Sequence, residues 1–239
     1  MTRVICQTER LLLRQFTLDD LDPLAAMHRD PEVSRFIGGV ITLEQTRQRL
    51  QQWIEEYDRY GFSKWAVVLQ ASGELIGRCG LTLEQIDGVS ERELGWTFAR
   101  AHWGKGYATE AAAAAMEHCF TGLGLRRLIS LIDPQNLASA GVAIKLGMIL
   151  ERTVQWQGVP TNMYAARLTG GGSPSLSARL SATHPLFLWQ CQNRAVFGPV
   201  LRSLDSAIPQ RRTESPRFST FFLRSPSRQA GFASIACNP

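Results

Sequence analysis

Residues 9–16, ERLLLRQF, alternate Leu11 and Leu13 against Leu12 and Arg14, which predicts a first strand. Thr17 then opens a helix with Asp19 and Asp20 in its first turn, where the helix dipole favours acidic side chains. Leu21, Leu24, Ala25 and His28 recur at helical spacing, and Asp30-Pro31 breaks the run. Thr42-x-x-Gln45 has the form of a capping box. The second helix it opens carries Leu43, Leu50, Trp53, Ile54 and Tyr57 on one stripe and stops at Gly61.

Three strands follow over 64–70, 74–86 and 91–98, with turns at Ala71-Ser72-Gly73 and Asp87-Gly88. Such short turns predict an antiparallel meander. A helix over 106–122, a β-branched strand over 126–132 and a helix from Asn136 to near Leu146-Gly147 come next. Segments 149–157 and 162–168 close the run as a hairpin around Gly158-Val159-Pro160. The order β α α β β β α β α β β predicts an α/β fold on a mixed sheet. Its one crossover makes the 91–98 and 126–132 strands parallel.

Charge divides the chain. Residues 1–168 hold 18 Lys+Arg against 19 Asp+Glu, whereas residues 169–239 hold eight arginines, no lysine and two acidic residues. The basic character therefore sits in the tail, and the body has no electrostatic case for nucleic acid. The tail starts at Thr169-Gly170-Gly171-Gly172-Ser173-Pro174 and shows no sustained period. It reads as a disordered extension, or as a shifted reading frame, behind a domain over 1–168. No apolar run is long enough to span a membrane, and MTRVICQTER is not a secretion signal. Cys6, Cys79, Cys119, Cys191 and Cys237 are scattered without a CxxC pair, and the four histidines are dispersed. Reduced thiols in a cytoplasmic protein without a metal site are expected. Cys79 and Cys119 have no base in sequence proximity and read as core residues.

The candidate chemistry starts at HWGKGYATE, residues 102–110. Two glycines stand before a strong helix former. A helix start has N–H groups without intrahelical partners and a partial positive charge, and amides in a tight turn make an anion-binding concavity. Without Cβ atoms, Gly104 and Gly106 let an anion approach the backbone. A P-loop does not fit, because Gly106 follows Lys105 where Ser or Thr is required. A dinucleotide fingerprint does not fit either, since its third glycine position is Thr109.

These pieces together resemble the GNAT superfamily of acetyl-CoA-dependent N-acetyltransferases, nearest the branch that acetylates the amino termini of ribosomal proteins. The matching segments are TERLLLRQFTLDD, RDPEV, GELIGRCGL, ELGW, HWGKGYATEA, and DPQN-x-x-S followed by KLGM, in family order. The resemblance implies that the amides of Gly104, Lys105, Gly106, Tyr107, Ala108 and Thr109 hold the pyrophosphate of coenzyme A. Lys105 would add charge and Thr109 a hydroxyl. It implies that Asn136 caps its helix and contacts the coenzyme, and that Ser139 lies near the thioester sulfur and protonates the thiolate. Glu93 is the first candidate for general base. Phe98 and Ala99 amides are the candidate oxyanion donors, and Tyr164 or Tyr107 is an alternative acid to Ser139. Two positions depart from the family pattern. Ala101 stands where Gln or Arg is usual, and Gly141 stands where a larger, often basic, residue is usual.

The implied reaction is direct transfer to a primary amine, on a small molecule or a peptide terminus, by a monomer or homodimer. Residues 17–60 and the last hairpin would select that amine, with Gly38-Gly39 as a mobile segment lining the cleft. The alternative is a non-catalytic acyl-CoA-binding sensor.

Overall fold

The computed structural model describes residues 2–168. The expected tail over 169–239 lies outside the described residues. Eight strands form one sheet in the order β1-β2-β3-β4-β5-β6-β8-β7. They are β1 Val4–Gln7, β2 Leu11–Arg14, β3 Lys64–Leu69, β4 Leu75–Ile86, β5 Val89–Phe98, β6 Arg127–Ile132, β7 Ile149–Trp156 and β8 Val159–Arg167. The helices are α1 Leu21–Arg29, α2 Pro31–Ser34, α3 Leu43–Tyr60, α4 Tyr107–Thr121 and α5 Leu137–Lys145. The mixed α/β architecture expected from the pattern is present.

Four details differ from expectation. The first strand is a two-stranded hairpin, because Thr8 turns the chain: its amide donates to the Leu11 carbonyl and its hydroxyl accepts from the Leu11 amide, each at 2.9 Å. The helix expected from Thr17 begins as a single 3-10 turn, Leu18–Asp20, ahead of α1. Asp20 is committed there to the Arg14 guanidinium by two bonds of 2.7 Å and to the Thr17 amide at 2.8 Å. Asp30-Pro31 ends α1 but also starts α2, with the Asp30 carboxylate accepting from the Glu32 amide. The final strand begins at Val159, since the turn is Gln157-Gly158.

The two sheet faces bury different helices. Leu24, Leu50 and Trp53 from α1 and α3 pack with Ala66 and Val68 of β3. On the other face, Ala111, Ala112, Ala115 and Met116 of α4 pack with Leu81, Leu94 and Phe98. Alanines let the α4 backbone approach the sheet closely, so its N-terminus is carried to the end of β5.

β5 and β6 are the sheet's parallel pair, and their register holds one backbone rung, Glu93–Ile129. Further along, the Ser130 hydroxyl donates to the Leu94 carbonyl at 2.6 Å, where a backbone amide would otherwise sit. β4 and β5, by contrast, pair along ten consecutive residues. The sheet therefore stays closed on one side of β5 and parts on the other.

Two glycines give opposite stability predictions. A Cβ on Gly77 would stand 2.5 Å from the Thr97 carbonyl oxygen, which is backbone and cannot give way. Gly77→Ala should lower stability by about 1–3 kcal/mol. A Cβ on Gly141 meets nothing within 4 Å inside α5. Gly141→Ala should raise stability by about 1 kcal/mol. Thermal melts of the two variants should move in opposite directions, and a fall for Gly141→Ala contradicts the open space described.

Candidate active site

The turn before α4 adopts left-handed backbone at both glycines, with φ of +72° at Gly104 and +82° at Gly106. Other L-residues are strained there. Gly106 caps α4, and no side chain accepts from the first turn. A Cβ on Gly104 would meet nothing within 4 Å, and one on Gly106 would find only the Arg10 guanidinium at 3.5 Å. The Cα side of both glycines is therefore nearly unobstructed by protein, and a turn of this kind ahead of a helix is a place where an anion can approach the backbone. Lys105 is exposed, while Tyr107, Ala108 and Thr109 are half-buried along the same edge.

Arg10 is the residue that sequence reasoning missed. It lies in the β1–β2 turn, far from residues 104–110 in the chain. Its Nε donates to Glu110 Oε2 at 2.7 Å and its Nη1 to the Lys105 carbonyl at 3.1 Å. Its Nη2 lies 2.5 Å from Glu110 Oε2, and its guanidinium stacks 4.5 Å over the Tyr107 ring. Glu110 is buried, accepts also from the Thr8 hydroxyl at 2.6 Å, and locks this arrangement. A guanidinium has five N–H donors, so this one keeps donors to spare beside the turn. Arg10 thus places a cation beside the turn, which Ala101 cannot do.

Asn136 caps α5, its Oδ1 accepting from the Ser139 amide at 3.1 Å. Ser139 is half-buried, and both residues line a cavity of about 420 Å³. Its lining also includes Glu93, Gly95, Thr97, Arg78, Arg49 and Trp53. The cavity therefore joins the parted strands to the face covered by α3. Phe36, Ile37 and Gly38, from the segment before α3, line it too.

Glu93 is only 14% exposed and is not a free carboxylate. Its Oε2 accepts from Lys64 Nζ and from the Thr82 hydroxyl, both at 2.9 Å. The partner is thus Lys64. Lys64 also donates to the Gly80 carbonyl at 3.0 Å, which fixes the pair. Glu93 Oε1 faces Gly95, where a Cβ would come within 2.8 Å.

Two expectations are corrected. The Ala99 amide donates to the Ile76 carbonyl at 2.9 Å, so it cannot serve as an oxyanion donor. That bond sets the alternation along β5: odd positions bond β4, and the Trp96 and Phe98 amides turn toward the parting. The Phe98 carbonyl accepts from Trp103 Nε1 at 2.7 Å. Tyr164 is 7% exposed in the core beneath α4 and α5 and is not on the cavity lining. Its position on β8, opposite Ser130, turns its ring into the packed face. Cys6, Cys79 and Cys119 are free thiols, and burial pushes all three up, Cys6 and Cys79 to about 12. Thiols so shifted do not act as nucleophiles at neutral pH. Among the described residues no His/Cys/Asp/Glu cluster could hold a metal, and no helix is long and apolar enough to cross a membrane.

Comparison with known proteins agrees with this geometry. Residues 10–149 match the family model described as "Acetyltransferase (GNAT) domain". The uncharacterized N-acetyltransferase p20 of Bacillus licheniformis is 35% identical over 136 residues, covering 55% of this chain and 75% of the relative. A crystal structure of an acetyltransferase from Agrobacterium tumefaciens superposes with a TM-score of 0.62 at 30% identity, covering 70% of this chain and 94% of that one. At 21% identity the fold alone is shared with RimL, a ribosomal L7/L12 alpha-N-protein acetyltransferase solved with coenzyme A, with a TM-score of 0.60 over 69% of this chain and 98% of that one. A parted parallel strand pair, an open glycine turn ahead of a helix and a matching family model have a common explanation: this chain belongs to the GNAT family and is an N-acetyltransferase.

Proposed function

We propose that the protein transfers an acetyl group from acetyl-CoA to a primary amine by direct attack in a ternary complex. The observation that carries this reading is the parting of β5 and β6 directly over the cavity that holds Glu93, Asn136 and Ser139. The thioester supplies the electrophilic carbonyl. The turn from Gly104 to Thr109, with Arg10 beside it, binds the diphosphate. Asn136 and the open edge of β5 align the pantetheine arm. The Phe98 amide, directed into the parting, stabilises charge that develops on the carbonyl oxygen. Ser139 donates a proton to the departing sulfur. Glu93 receives the amine's proton on Oε1, the oxygen that neither Lys64 nor Thr82 occupies. Holding both reactants in one cleft supplies much of the acceleration.

Thiol release from acetyl-CoA with a panel of primary amines tests the reading. Coenzyme binding with no acceptor ever yielding free CoA rejects it in favour of a sensor.

Three substitutions assign the parts. Arg10→Gln should weaken coenzyme A binding about 10-fold at low ionic strength, consistent with a charge-assisted bond. The deficit should shrink as salt rises, since Arg10 is 44% exposed. An unchanged dissociation constant removes Arg10 from the phosphate site. Ser139→Ala should lower kcat by about 100-fold. If kcat stays within twofold, another group protonates the sulfur. Glu93→Gln should lower kcat by a similar factor of about 100. A pH–rate profile with the shape of the parent enzyme's rejects Glu93 as base.

A further inference from the structure

We propose that the acceptor amine carries an oxyanion group, held in the cavity by Arg78 and Arg49. This rests on the acetyltransferase reading above and narrows its substrate class.

Arg78 and Thr97 are register partners on β4 and β5, and both are 8% exposed. Both line the cavity, and both keep polar atoms without a partner: Arg78 Nε and the Thr97 hydroxyl. The Arg78 guanidinium lies 5.2 Å over the Trp53 ring, which fixes its plane. Arg49, half-buried on α3, lines the same space. Among the described residues neither arginine forms an ion pair with a carboxylate.

A buried guanidinium without a carboxylate is costly unless a ligand completes it. The local field shows the same imbalance. Burial and Arg49 push Arg78 down to about 10, although Glu93 opposes the shift. Burial, Arg78 and Arg49 push the neighbouring His28 down to about 3, so it adds no charge.

The remaining carboxylates of the cavity do not cancel this pair. Glu93 is engaged by Lys64, Glu84 accepts from Trp156 Nε1 at 3.1 Å, and Asp133 accepts from the Gln135 amide at 2.8 Å. Glu84 lies six positions from Arg78 on β4, about 20 Å away at the usual rise of a strand. An ammonium placed between Arg49 and Arg78 would be repelled, whereas a carboxylate or phosphate would accept from two planar donor forks and from Thr97. Thr97 directly precedes Phe98, so the oxyanion and the attacking nitrogen are separated by a few bonds. A cavity of about 420 Å³ suits such a compact molecule.

The test uses the full chain and matched probes: β-alanine against its amide, and aminoethyl phosphate against ethanolamine. Acetylation is followed by thiol release, and binding by titration calorimetry with coenzyme A present. At least one charged probe should exceed its neutral counterpart by about 10- to 100-fold in kcat/KM and in affinity. The arm that responds identifies carboxylate or phosphate. Arg49→Gln should bring that ratio towards one; Arg49 is half-buried on a helix, so the variant should fold. Arg78→Met should act likewise, with a thermal melt reporting whether it folds. Equal handling of charged and neutral probes overturns the proposal while leaving the transferase intact. So does an Arg49→Gln ratio equal to the parent's, or an Arg49→Gln defect that falls on coenzyme A affinity instead. Charged probes that bind selectively without release of CoA support the oxyanion site and reject acetyl transfer.

Discussion

The parting of two parallel strands is the constraint on which the rest depends. β5 must be held firmly on one side and left unpaired on the other. Its ladder to β4 supplies the hold, and a single rung to β6 leaves backbone donors facing open space. In a continuous sheet the Phe98 amide would be consumed by a neighbour. Here the Ala99–Ile76 bond fixes the alternation that turns Phe98 toward the cleft. A backbone donor held this way needs no reorganisation when charge appears in front of it, which is the physical basis of electrostatic catalysis.

Helix α4 depends on the same arrangement. Its alanine face seats it closely on the sheet, so its N-terminus, capped by Gly106 without a side-chain bond, lies at the end of β5. The glycine turn then offers amides while the Arg10–Glu110–Thr8 cluster adds a held cation. Glu110 is acidic at a helix N-terminus, which suits the dipole, yet its main partner is a distant arginine. One buried carboxylate therefore joins the first hairpin to the start of α4 behind the glycine turn.

The two faces of β5 have different work. Even positions pack under α4, and odd positions line a charged cavity under α3. In that cavity Glu93 is matched to Lys64, while among the described residues Arg49 and Arg78 form no ion pair with a carboxylate. On the proposed reading, that unmatched charge is what distinguishes the acceptor side of the cavity from the diphosphate side.

Local residue patterns were enough for the elements that depend on local physics. The Thr42-x-x-Gln45 box and Asn136 cap their helices by bonds within four residues, and the glycine turn opens α4 where two φ-permissive residues demand it. The parallel crossover was also legible, because a single helix packed back on the sheet between two strands returns the chain to the end where the first strand began. Other features were decided by contacts between residues far apart in the chain. β8 sits between β6 and β7, Lys64 claims Glu93 across the meander, Arg10 reaches Gly106, and Tyr164 turns into the core. A side chain's residue type states what it can bond, but the partner it finds is set by which strands lie side by side. That is why the glycine turn before α4 could be read from the sequence, whereas the partner of Glu93 and the unmatched arginines emerged only from the tertiary structure.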